Sequence, residues 1–424
     1  MLNSLIVTMG LVDLFFVASA PVLKVLLLTA LGSFLALEHI DILGENARKQ
    51  LNTVVFFVFN PALVSSNLAK TITFDSIVLL WFMPFNVLGT FLIGSALGWV
   101  LIKITRPPQH LKGLILGCCA AGNMGNLPII IIPAVCREKG SPFGAPDVCH
   151  TYGMAYASLS MAIGAIYLWS YVYNIVRIFS SKVNEKVNAD EFTSNKKPSG
   201  ATSKLLHGNS SEAVLPSENC SVSVDNSNKL MLPSEEEKKG PILYAIKHYL
   251  RVFSRKINLK ALFAPSTTGA MVGFIIGVVP QIRNLIIGGD APLRVVLDSA
   301  SFLGEAAIPT LTLILGGNLL KGLKGSGILQ PLIFGIITVR YIFLPLLGII
   351  IVKSAIRFGL VHSDPLYQFV LLLQYALPPA MNIGTITQLF GAGKSECSVI
   401  MLWTYAFASV SLTLWLSNVI SAVP

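Results

Sequence analysis

Apolar residues run along this chain in stretches of roughly 20 residues or more, the length a helix needs to cross a bilayer, and polar connections separate them. The stretches fall near 11–36, 50–69, 76–102, 111–134 and 152–177, then near 261–283, 293–320, 329–353, 366–390 and 396–419. They predict an all-α polytopic membrane protein with about ten transmembrane helices. Pro21, Pro61, Pro265 and Pro309 lie inside them, where neighbouring helices in a membrane re-satisfy the freed backbone groups. No basic residue precedes the first stretch, and Pro21 follows the small-residue site Ala18-Ser19-Ala20. That stretch reads as an uncleaved first helix rather than a signal peptide.

One segment breaks the pattern. Residues 179–256 are rich in Ser, Asn, Lys and Glu and poor in aromatics. Such a segment buries too little apolar surface to offset its chain entropy and reads as a hydrophilic, largely disordered loop. It divides the chain into a first membrane repeat, 1–178, and a second, 257–424. Composition agrees: 53% of the 424 residues are hydrophobic and 12% charged, with a mean hydropathy of +0.69. No soluble domain has this make-up.

Charge orients the chain. In a ten-span path the connections after odd-numbered spans share one face with the long loop, and that face holds most of the 31 Lys and Arg residues. Arg177, Lys182 and Lys186 leave the fifth span, while Arg251, Arg255, Lys256 and Lys260 approach the sixth. The positive-inside rule makes the loop cytosolic and both termini non-cytosolic. Basic residues beside an anionic leaflet account for the net charge of +10 without nucleic acid as a partner.

Five spans on either side of a loop have a topological consequence: two halves of like fold must be inverted relative to each other. Internal echoes support this. Ala20-Pro21 matches Ala264-Pro265, and Asn60-Pro61 followed by Asn67 matches Ile308-Pro309 followed by Asn318. The fourth span is interrupted by Gly122-Asn123-Met124-Gly125-Asn126-Leu127-Pro128, the ninth by Leu377-Pro378-Pro379-Ala380-Met381-Asn382. Broken helices survive at membrane depth only where protein or a substrate cavity surrounds them, so paired breaks point to a transport site.

The break residues suit an anion. Pro128 fits the first turn of a new half-helix, Asn126 can cap it, and Gly125 can take unusual backbone angles. The half-helix N-terminus then presents amides and partial positive charge, with Asn123 adding hydrogen bonds. Pro379 and Asn382 repeat the arrangement in the second half. Both breaks carry neutral Asn rather than the carboxylates that serve ion and proton relays. Lys24, Asp298, Glu305 and Arg340 are ionisable residues placed within spans; Glu305, ahead of Pro309, is the coupling candidate, against the plainer reading of a salt bridge or snorkelling.

Enzyme and metal readings find no support. The six His residues form no His-Glu-x-x-His helix, and no Gly-rich loop ends in Gly-Lys-Ser/Thr. No cofactor or metal is expected. Cys136 and Cys149 flank a connection on the predicted non-cytosolic side, which leaves a disulfide open there.

The Gly122–Pro128 motif running into Ile129-Ile130-Ile131-Ile132-Pro133-Ala134-Val135-Cys136, together with Phe59-Asn60-Pro61-Ala62-Leu63 and Gln374-Tyr375-Ala376-Leu377-Pro378-Pro379, resembles the plant PIN-LIKES proteins of the auxin efflux carrier superfamily. The resemblance implies an endoplasmic-reticulum carrier of auxin, indole-3-acetic acid, that limits the nuclear hormone pool. It also implies a fold like that of bile-acid and sodium–proton transporters, with spans one, two, six and seven as scaffold and the others as an elevator-like moving domain. In that frame Asn123 and Asn126 contact the carboxylate, Asn382 and Pro379 face it, and the ring lies near Asn60 and Asn67. Tyr152, Tyr156 and Ser158 are neighbouring candidates. A membrane auxin sensor that no longer transports, or a carrier of another organic acid, are the alternatives. Besides the organic anion and membrane lipid, a homodimer partner is left open.

Overall fold

The computed structural model describes residues 11–137, 141–181, 264–323 and 329–422, all within one compact unit. The expected polar loop lies outside the described residues, except that helix continues through its first residues to Ser181.

The first half comprises α1 (Leu11–Leu35), α2 (Glu45–Val54), α3 (Asn60–Thr71), a short α4 (Phe74–Leu79), α5 (Phe82–Thr105), α6 (Gln109–Ala120), α7 (Asn126–Arg137) and α8 (Pro146–Tyr167). The second comprises α9 (Pro265–Val278), α10 (Pro280–Ile286), α11 (Arg294–Glu305), α12 (Ala307–Leu323), α13 (Leu329–Thr338), α14 (Leu344–Arg357), α15 (Pro365–Ala376), α16 (Asn382–Phe390) and α17 (Lys394–Ala422). Among the described residues there is no strand, only one isolated antiparallel bridge between Gly122 and Pro379.

Six of these helical runs are long and apolar enough to cross a membrane, or seven if α9 and α10, bent by 99° at Val279, count as one. The protein is a multi-pass membrane protein. Several long runs are irregular where proline interrupts the hydrogen-bond ladder. A wide π-type turn, Val55–Phe59, joins α2 to α3 just before Pro61, and a second, Val339–Phe343, joins α13 to α14 before Pro345. Proline lacks the amide that the preceding turn would use, so the extra residue is accommodated there. Near Pro309 the interruption falls earlier than expected, at Ala306, because proline is well suited to the first turn of the new helix. The third expected span likewise begins later, at Phe82, after the separate α4.

Packing of α9 on α3 fixes part of the site. Gly269, Gly273 and Gly277 recur every fourth residue and so share one face of α9. A Cβ on Gly273 would lie 2.4 Å from the Ser65 carbonyl, and one on Gly269 2.7 Å from that of Pro61. Only glycine permits this approach, which holds the start of α3, including Asn60, against the second half. Cys136 at the end of α7 and Cys149 in the first turn of α8 form a disulfide with a Cα–Cα distance of 5.5 Å.

Candidate functional site

The two breaks meet. The Asn123 amide donates to the Pro378 carbonyl at 2.7 Å and the Ala380 amide to Ala121 at 2.9 Å, so each extended segment satisfies the other. This is why neither break is a simple proline kink: residues between α6 and α7 pair with residues between α15 and α16 in place of the helical bonds both have lost.

Four half-helix ends converge here. The C-termini of α6 and α15 lie on one side, where their last carbonyls have no intrahelical partner. Arg340, 1% exposed, fills that side. It donates from Nε to Leu377 O at 3.0 Å, from Nη1 to Cys119 O at 3.1 Å and Ala120 O at 3.4 Å, and from Nη2 to Leu377 O and to Pro378 O at 3.3 Å. A single planar, five-donor guanidinium thus serves both C-termini. Gly122 is required beside it: a Cβ there would lie 2.5 Å from Nη2.

On the other side the N-termini of α7 and α16 border a cavity of about 60 Å3, whose walls include Asn60, Gly122, Asn123, Met161, Ile308 and Asn382. Asn60, also 1% exposed, has an Nδ2 with no hydrogen-bond partner, and Asn382 has an Oδ1 in the same condition. Unpartnered buried polar atoms cost on the order of 1–3 kcal/mol each, so two of them in one cavity make it the candidate ligand position. Asn123 is held differently. Its Nδ2 donates to the Tyr405 hydroxyl at 2.6 Å, which donates in turn to Pro379 O at 3.0 Å.

The expected site residues divide accordingly. Asn60, Asn123 and Asn382 come together in the cavity wall. Pro379 sits at the bridge behind it, and Pro128 is buried in the first turn of α7. Asn126 is the first residue of α7, and its side chain lies outside the described residues. Gly125 is not among the described glycines with positive φ; it provides space instead, since a Cβ would lie 3.1 Å from Met161 Cγ.

Other expected residues stand elsewhere. Asn67 donates to the Leu63 carbonyl of its own helix at 2.8 Å, and Tyr156 donates to Asp364 Oδ2 at 2.7 Å. Ser158 is buried but is not a cavity wall, and Tyr152 is exposed. Glu305 is exposed at the end of α11 and is not among the cavity walls, although Ile308, three residues further on, is. At the second break, the Ile383 and Gly384 amides bond to Ala380 O and Met381 O. There the helix dipole and the Asn382 side chain, rather than those two amides, face the cavity.

Sequence reasoning missed the parts played by Arg340 and Tyr405. The signal for Arg340 was present, because an arginine inside an apolar span is rarely without a role; its partners, spread over two distant segments, were not.

The chain matches the membrane transport protein family over residues 17–416. It is similar to Protein PIN-LIKES 1 of Arabidopsis thaliana, 53% identical across 96% of this chain and 79% of that one. Protein PIN-LIKES 3 of the same plant is 51% identical across 96% and 97%, and Protein PIN-LIKES 6 is 30% identical across 94% and 91%. A helical body with six or seven apolar, membrane-length helices, two broken helices meeting at a small cavity walled by asparagines and apolar side chains, and this similarity over nearly the whole chain agree: it belongs to the PIN-LIKES group of the membrane transport protein family and is a transporter rather than an enzyme.

Proposed function

We propose that the protein carries auxin, indole-3-acetate, across the endoplasmic-reticulum membrane through the crossing, and so lowers the hormone available to the nucleus. The observation that carries this reading is the unpartnered Asn60 Nδ2, buried in the same cavity as the unpartnered Asn382 Oδ1. A ligand with both an anionic acceptor and an N–H donor satisfies both. The carboxylate takes the Asn60 amide under the positive ends of α7 and α16. The ring N–H donates to Asn382, and the apolar walls Met161, Ile308, Leu311 and Leu168 receive the ring. Asn123, steadied by Tyr405, completes the carboxylate's surroundings.

The cavity has room for a few water molecules rather than an indole acid, so binding requires its walls to part. Those walls come from two sets of helices: α3 and α12 on one side, the crossing and α8 on the other. We assign the first set to a scaffold and the second to a moving body, in an elevator-like exchange between two inverted five-helix repeats. Polar ties between the sets lie toward the predicted cytosolic face. Lys394 Nζ lies 3.7 Å from Glu45, Asn318 Nδ2 donates to Gln388 Oε1 at 3.1 Å, and Asn52 donates to Thr385 O at 3.2 Å. The Cys136–Cys149 disulfide supports a lumenal position for the α7–α8 connection, since such bonds persist in oxidising compartments. That orientation agrees with a cytosolic central loop and lumenal termini.

Uptake of radiolabelled indole-3-acetate into liposomes containing the purified protein tests the function, with Asn60→Leu and Asn123→Ala beside the wild type and an excess of unlabelled benzoate as competitor. Uptake lost in the variants and insensitive to benzoate is expected. Uptake abolished by benzoate would move the substrate to another organic acid, and binding without uptake would make the protein a sensor.

A further inference from the structure

We infer that Arg340 is the residue that makes the crossing selective for an anion over its uncharged counterpart, without touching the ligand. This rests on the proposed anion site. Each helix end carries roughly half an elementary charge, negative at the C-terminus and positive at the N-terminus. Two C-termini and two N-termini meeting in one membrane-embedded centre therefore nearly cancel, and an anion placed there gains little from the helices alone. Arg340 changes that balance. Its guanidinium lies against the carbonyls of Cys119, Ala120, Leu377 and Pro378, and one full positive charge offsets the two negative ends. The positive ends of α7 and α16 are then left uncompensated at the cavity.

Among the described residues no carboxylate pairs with Arg340. Among the described residues the ion pairs involve His110, Arg294, Lys321 and Lys394, never Arg340. The groups that accept hydrogen bonds from Arg340 are backbone carbonyls, which carry no formal charge. A fully buried arginine with no carboxylate partner among the described residues leaves the centre one negative charge short, in surroundings where an unbalanced charge is costly. A bound monoanion makes up that charge. Distance does not forbid the coupling: Gly122 lines the cavity, and a Cβ on it would lie 2.5 Å from Arg340 Nη2, so one backbone segment separates the two charges. Asn60 Nδ2, buried and unpartnered on the cavity side, is the independent mark of where the anion sits.

The test measures equilibrium binding to the full-length protein in nanodiscs for two acid–amide pairs, indole-3-acetate with indole-3-acetamide and benzoate with benzamide. The quantity read is the acid-to-amide affinity ratio. In the wild type we expect a ratio above about tenfold. Arg340→Gln, which keeps hydrogen-bond donors but removes the charge, is expected to bring the ratio near one while amide affinity changes little. Arg340→Lys is expected to restore most of the ratio. If Arg340→Gln does not fold, Gly122→Ala replaces it; the added methyl would displace Nη2 and move the charge away from the cavity, so a reduced ratio is expected there too, beyond any loss of affinity that acid and amide share. A purely structural role would lower both affinities together and leave the ratio unchanged, which overturns the inference, as does a lysine variant no better than the glutamine. Binding of the benzoate pair without the indole pair would refute auxin as substrate while the ratio still judges Arg340. Binding of neither acid would overturn both.

Discussion

The two sides of the crossing treat their polar groups in opposite ways. On the side of the α6 and α15 C-termini, the exposed carbonyls of the break meet donors from a single buried arginine. On the side of the α7 and α16 N-termini, an asparagine amide and an asparagine oxygen are buried with no partner in the protein. Satisfied groups hold a fold together, whereas unsatisfied ones gathered at a cavity make it the candidate place for a ligand. The crossing and the start of α3 beside it thus show a structural side and a candidate binding side, told apart by hydrogen-bond accounting rather than by residue type.

Substitutions should separate the two sides. The largest effect is expected for Arg340→Met, which orphans several buried carbonyls; each costs about 1–3 kcal/mol, so the purified protein should lose at least about 3 kcal/mol of stability and unfold at markedly lower temperature. An unchanged unfolding temperature would erase the contrast. On the cavity side the sign reverses. Asn60→Leu replaces an unpartnered donor with an apolar group of similar shape, and its unfolding temperature should stay level or rise, while affinity for the anion falls by about tenfold or more, the range for a hydrogen bond to a charged group.

Tyr405→Phe sharpens the boundary, since its hydroxyl links Asn123 to Pro379. We expect a loss of about 1 kcal/mol in stability and a few-fold weaker binding, read by thermal unfolding and titration on the same sample. Least affected should be Lys394→Ala. Lys394 and Glu45 form a partly solvated pair, and such pairs contribute less than about 1 kcal/mol. A larger loss of stability there would mean that the ties between the two helix sets, rather than the crossing, hold the fold.

These distinctions were only partly legible in the sequence. The breaks themselves were, because proline and asparagine act on the backbone locally and lipid forbids untended backbone. So was the meeting of Asn123 and Asn382 at one centre, through the matching of the halves. Depth along a helix was not. Asn60 and Asn67 lie seven residues apart and on nearly one face, yet about 10 Å separates them along the axis, and only the first reaches the cavity. Tyr156 was unreadable for a different reason: its partner Asp364 comes from the other half of the chain. Arg340 combines both difficulties, since its carbonyl partners belong to two segments that only the completed fold brings together.

The most direct measurement is a binding titration of radiolabelled indole-3-acetate against the full-length protein in nanodiscs, wild type beside Asn60→Leu, with unfolding temperatures recorded on both. Saturable binding by the wild type, weakened at least about tenfold in a variant no less stable, is the predicted result. Equal affinity in the two proteins would contradict the cavity as the anion's position.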